Sequence, residues 1–222
     1  MKRKRIMALF IGIMLLMVII ILKRYYFLGS MNIHEYNNIR RYMDYYYPNN
    51  KFRINNIEYT CIKTDDNKYA HLYKMELSDG DIDYYAIQCF KSSKRFEGSF
   101  IDDDYKTSIK DNYLRSKLKK YPILSKYEND FYDAVINKLP DYVFTVGDNN
   151  IDEIKEAITI IVENAIVRNN SIDIWFELHD KSSNLLCNGH EIVTYCNENR
   201  DENKDIKDLV SEYIDEAIAE TQ

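Results

Sequence analysis

The sequence predicts an α+β protein: a single N-terminal transmembrane helix, followed by a mainly antiparallel sheet with packed amphipathic helices. Three observations lead there. Residues 6–22 form an uncharged apolar run with basic residues on both sides. Three segments between Phe52 and Phe90 alternate apolar and polar residues across short polar turns, the pattern of an antiparallel meander. Several later segments repeat apolar residues at three- and four-residue steps, the period of a half-buried helix.

The apolar run IMALFIGIMLLMVIIIL follows Lys2, Arg3, Lys4 and Arg5 and precedes Lys23 and Arg24. A helix of that length, at about 1.5 Å per residue, covers roughly 25 Å, slightly less than a hydrocarbon core of about 30 Å. Lys23 and Arg24 can lift their charges into the headgroups, and Tyr25, Tyr26 and Phe27 suit interface depth. The span is therefore drawn at 6–28, behind a tail of residues 1–5. A cleaved signal peptide would need small residues soon after its apolar core, where this chain has a basic pair and three aromatics. No Cys follows that could accept a lipid. A buried soluble helix would not be apolar all round between basic ends. The expected partner is thus the lipid bilayer, reached through an uncleaved signal anchor. Basic residues in excess before the span place the N-terminus in the cytoplasm and residues 31–222 outside the cell membrane. Arg40 and Arg41 narrow that excess, so a cytoplasmic domain on an inverted anchor is the alternative.

The whole chain carries −6; removing the six basic residues of its first 24 leaves −12 downstream. An acidic domain of that kind excludes nucleic acid as a partner, because phosphates demand cationic contacts, and it is repelled by anionic membrane surfaces. Gly (6) and Pro (3) are scarce and Tyr (20) is abundant, which argues against disorder and points to an AT-rich bacterial genome.

Taken in order, Asn32–Tyr47 reads as a helix through Ile33, Tyr36, Ile39, Met43 and Tyr46, ended by Pro48. Its Tyr45-Tyr46-Tyr47 run could be a sugar platform; the plainer reading packs one ring inward and leaves the others at the surface. Strands are expected over Phe52–Lys63, with a bulge at Asn55 and Asn56, then Tyr69–Leu77 and Asp83–Phe90. Asp102–Lys120 reads as a helix with Tyr105, Ile109, Tyr113, Leu114 and Leu118 inward. Its acidic start and basic end complement the helix dipole, although the basic end could also receive an anionic polymer. Ser125 and Glu128 form a capping-box pattern for a helix reaching about Lys138. A strand over Tyr142–Val146, a helix over 151–168 capped by Asn150, and a strand over Ser171–Leu178 follow. Asn188-Gly189 then suggests a hairpin turn, with His190–Cys196 pairing back. Residues 197–204 form a polar linker before a last helix, 206–219. Two modules result, 32–121 and 125–220, with no flexible linker at Pro122.

Four cysteines, Cys61, Cys89, Cys187 and Cys196, follow the anchor. In an oxidising exterior the sequence-local disulfides would be Cys61–Cys89 within the meander and Cys187–Cys196 across the expected hairpin; Cys61 could equally be an ordinary core residue. His179, Cys187, His190 and Cys196 share that hairpin, but their spacing is too irregular for structural zinc, so no metal is expected. Asp79-Gly80-Asp81 opens like a calcium loop and fails at its sixth and twelfth positions, Tyr84 and Cys89. None of the four histidines has a triad context, and glycine-rich nucleotide loops are lacking. No catalytic residue or cofactor is assigned. Paired acids for a hydrolase are spatial rather than sequential, so that class stays open.

The stretch Asp111-Asn112-Tyr113-Leu114, after a meander and before a basic helix end, resembles uncharacterised membrane-anchored extracytoplasmic α+β proteins of low-GC Gram-positive bacteria. The resemblance covers residues 1–121 and implies a location without an activity. The function expected is a binding or assembly module at the cell surface, facing an envelope protein or wall polymer. A cell-envelope hydrolase using acidic residues is the second class.

Overall fold

The computed structural model describes residues 10–21, 33–92, 108–147, 149–168, 171–200 and 204–220. The fold is α+β. The first helix, α1 (10–21), is the described part of the apolar run, and its large side chains from Phe10 to Ile21 are all exposed. Among the described residues no helix is long and apolar enough to cross a membrane. The basic flanks and the rest of the expected span 6–28 lie outside the described residues.

Helix α2 (Ile33–Tyr46) precedes a four-stranded antiparallel sheet, β1 (Arg53–Lys63), β2 (Tyr69–Ser78), β3 (Asp83–Ser92) and β4 (Ser108–Asp111), in that spatial order. Pairing jumps from Ile54↔Leu77 to Asn56↔Glu76, leaving Asn55 as the extra residue of the expected bulge. Alternation sends Tyr73, Met75, Leu77, Tyr84, Ala86 and Phe90 to one face, where Ile39 and Met43 of α2, with Tyr47 just after it, cover them. Ala70, Leu72, Ile87 and Cys89 point to the other face.

The expected helix over 102–120 is corrected. Ser108–Asp111 is a strand, pairing Ile109 with Gln88 and Asp111 with Ala86, and only Tyr113–Leu118 is helical (α3). Asp102, Asp103, Asp104 and Tyr105 lie outside the described residues. The edge of β3 offers backbone groups that need partners, and that demand outweighs a short helical pattern. The Ser125–Glu128 cap is corrected too. Ser125 donates to the Pro122 carbonyl at 2.8 Å within a 3-10 turn, and Glu128 turns to Arg115. Helix α4 begins later, at Phe131, where Asp130 accepts the Asp133 N–H, and runs to Asn137. Phe131 and Val135 of α4 cover the second face of the first sheet.

A second sheet follows, β5 (Tyr142–Thr145), β8 (Phe176–His179) and β9 (Leu185–Asn188), in the order β5-β8-β9, with α5 (Ile151–Asn164) as crossover and a two-residue ladder, β6 (Val167–Arg168) with β7 (Ser171–Ile172). β5 and β8 are parallel; the remaining strand pairs are antiparallel. The strand expected over Ser171–Leu178 is thus broken at Asp173–Trp175. The main-chain N–H groups there bond elsewhere: Asp173 to the Ile166 carbonyl and Trp175 to the Asp141 carboxylate.

The expected hairpin at Asn188-Gly189 is also overturned. Residues Gly189–Asn199 form helix α6, with Asn188 and Glu191 closing a full capping box. Gly189 is needed there because a Cβ would meet the Phe176 ring at 2.5 Å. Helix α7 (Ile206–Ala219) completes the core, burying Leu209, Val210 and Ile214 against α5 and α6. That core also takes Leu114 and Leu118 of α3, so α3 and α4 each pack across the expected module boundary at Pro122.

Candidate functional site

The chain from Lys110 to Arg115 ties the two sheets together. Alternation in β4 places Lys110 opposite Ile87, on the α4 face, and Asp111 opposite Ala86, on the α2 face. Each side chain then reaches a different element.

On the α4 side, Lys110 binds Asp141 at 2.8 Å. Arg115 is buried, with its guanidinium over the Phe131 ring at 5.1 Å. Its Nε donates to Glu128 at 2.6 Å, an Nη donates to the Asn129 carbonyl, and Asp141 lies 3.5 Å away. Two cations and two carboxylates therefore neutralise one another in partly dry surroundings, which is how buried charge is tolerated. Asn112 locks this strip to β3 by accepting the Tyr85 N–H at 2.7 Å and donating its own N–H to the Tyr85 carbonyl. Over Arg115 opens a cleft of about 340 Å³ lined by Tyr85, Asn112, Arg115, Lys119, Ser125, Glu128, Asn129, Asp130 and Phe131.

On the α2 side, Asp111 accepts the Tyr113 N–H at 2.8 Å and the Tyr47 hydroxyl at 3.0 Å. The Tyr47 oxygen also lies 3.3 Å from Asp173, which accepts the Ile166 N–H at 2.9 Å. Burial pushes Asp111 up to about 6, against hydrogen bonds from the Tyr113 N–H and the Tyr42 and Tyr47 hydroxyls. Burial pushes Asp173 up to about 7, and the negative charge of Asp111 adds to it. Burial likewise holds both phenols, Tyr42 and Tyr47, well above their ordinary range. Nearby, Tyr113 donates to Asp79 at 3.0 Å.

The four cysteines are free thiols. Cys61 pairs with His71 and Cys89 with Leu72, neighbours on β2 whose side chains leave opposite faces. The expected Cys61–Cys89 bridge would have to pass through the sheet. Cys187 and Cys196 are buried on β9 and α6 rather than across a hairpin. His179 pairs with Glu177 at 3.0 Å, and no group of residues able to hold a metal occurs among the described residues. Asp79 accepts the Asp81 and Ile82 N–H groups, as a solvated turn does. Of the three consecutive tyrosines, Tyr47 is buried, Tyr46 half-buried and Tyr45 exposed. Arg115 sits at the basic end of the expected helix, but it is turned inward; Asp111 stands in the stretch that carries the resemblance, though nothing local marks its partners, and Asp141 and Asp173 carry no local signal.

Family models, curated proteins and solved structures give no match to this chain.

Proposed function

We propose that this chain is a single-pass, membrane-anchored extracytoplasmic binding module, related to the low-GC Gram-positive proteins that its first half resembles, with the cleft over Arg115 as its binding site. The observation that carries the binding role is the make-up of that cleft. Asn112 and Lys119, on the α3 side, offer N–H donors; Glu128, Asn129 and Asp130, on the other, offer oxygen acceptors; Tyr85 and Phe131 add rings. Opposed donor and acceptor walls suit a small zwitterion with both termini free, such as an amino acid or a short peptide released from an envelope protein or wall polymer. The volume lies at the small end of the range for ligand sites, about 300–1,000 Å³. The exposed apolar α1 and the basic residues around its run support the anchor.

The hydrolase reading has less support. Its best converging acids, Asp111 and Asp173, meet around a buried phenol, and Asp111 is closed to the water that such chemistry consumes.

A reporter active only outside the cytoplasm, fused after Gln222, tests the placement: activity is expected, and a stable but silent fusion rejects it. Titration of the full chain in lipid nanodiscs with a free dipeptide, followed by NMR, tests the cleft. Shifts at Asn112, Lys119 and Glu128 are expected, weakened by Lys119→Gln. A dipeptide blocked at both ends that binds equally well would reject the zwitterion.

A further inference from the structure

The junction between α2 and the second half of the chain has more acceptors than protons. The Tyr47 oxygen lies 3.0 Å from Asp111 Oδ1 and 3.3 Å from Asp173 Oδ2. A phenol carries one O–H, so it satisfies one carboxylate and turns a lone pair to the other. Two ionised carboxylates held around a single buried hydroxyl repel each other; the arrangement becomes favourable when one of them brings a proton of its own. We propose that the Asp111–Asp173 pair binds one proton, that this proton latches α2 to the Asp173 segment through Tyr47, and that its loss loosens the junction.

The proton belongs to the pair, and a carrier on Asp173 is the arrangement that lets Tyr47 serve both acids. Asp111 Oδ1 already accepts the Tyr113 N–H and the Tyr47 hydroxyl, as a carboxylate does. Asp173 uses Oδ1 for the Ile166 N–H, which leaves Oδ2 to donate to Tyr47. The groups facing the pair are phenols and carboxylates: Tyr42 from α2 and Tyr47 just after it, Tyr113 from α3, Asp79 and Tyr84 around the β2–β3 turn, and Asp141 before β5. The cations of β4 and α3 are engaged elsewhere. Lys110 and Arg115 hold Asp141 and Glu128, and Lys117 lies over the Tyr113 ring at 4.3 Å. The upward shifts of both acids, to about 6 and about 7, agree with a shared proton and belong to the pair as a unit.

An unfolded Asp titrates at about 3.9, below both folded values, so the folded chain binds more protons than the unfolded one. The stabilisation is complete below that unfolded value and is lost as pH rises through about 6 to about 7.

The test uses the full chain in lipid nanodiscs. The wild type is expected to show the infrared C=O band of a protonated carboxyl at mildly acidic pH, and its urea midpoint is expected to fall as pH rises from about 5 to about 8. Asp173→Asn keeps the shape and supplies an N–H donor in place of the proton; it is expected to abolish the band and flatten the fall. Tyr47→Phe is expected to keep a band but move its frequency and its midpoint of loss. A wild type without the band, or an Asp173→Asn chain with the wild-type slope, overturns the proposal. Should Asp173→Asn not fold, a Tyr47→Phe chain whose band is unchanged in frequency and pH midpoint overturns it equally.

Discussion

Lys110 and Asp141 meet at 2.8 Å and join the last strand of the first sheet to the first strand of the second. Arg115 approaches the same carboxylate from α3 and carries the link on to Glu128. This ion cluster lies on the α4 side of β4, while the Tyr47 junction lies on the α2 side. A single short strand thus clamps both halves of the chain through its two faces.

Arg115 is the member of that cluster that cannot be spared. Arg115→Met keeps the stem but strands Glu128 and the Asn129 carbonyl and leaves Asp141 to Lys110 alone. The expected loss is about 3 kcal/mol of unfolding free energy, read from urea denaturation. Arg115→Lys recovers little, because an ammonium cannot reproduce the guanidinium fork. Both variants matching the wild type would mean that the cluster contributes nothing to stability.

Gly189 is a packing requirement at the start of α6. In Gly189→Ala the new methyl meets the Phe176 ring, which is fully buried and has no room to withdraw. A cost of about 1–3 kcal/mol is expected from overpacking, visible as a lowered melting temperature.

The cap of the same helix can be removed without touching the core. Asn188 accepts the Glu191 N–H at 3.1 Å, and Glu191 accepts the Asn188 N–H at 2.9 Å. Asn188→Ala is expected to cost about 1 kcal/mol. Equal stability of this variant and the wild type would place the helix start elsewhere.

Alkylation separates the thiols. Denatured, unreduced chain is expected to take up one label at each of Cys61, Cys89, Cys187 and Cys196, since all are free. In the native chain half-buried Cys61 is expected to react first. Burial pushes Cys89 and Cys196 up to about 11 and Cys187 to about 12, so little thiolate forms at neutral pH. Mass mapping that finds any label missing from denatured protein would restore a disulfide.

The parts of the fold legible in the sequence are those whose partners lie close along the chain. The three-strand meander, with its bulge at Asn55, follows from alternation and short turns. Helices α2 and α7 follow from stripes long enough to exclude other periods. Shorter stretches were ambiguous. Ile109, Tyr113 and Leu114 fit a helical stripe, yet Ile109 belongs to a strand because the edge of β3 lies beside it. Asn188-Gly189 carries both a hairpin signal and, with Glu191, a capping box, and packing against Phe176 chose the second.

The sequence by itself determined an apolar run between basic flanks, an acidic remainder, a meander, and the helices with the strongest stripes, because charge and periodicity are local properties of a chain. Only the tertiary structure decided which acids meet. Tyr47 lies 64 residues before Asp111 and 126 before Asp173, so no spacing rule connects them. Their shared proton, like the paired charges around Arg115, depends on distances of a few ångströms and on the exclusion of water, and both come into being only when the two sheets close on β4.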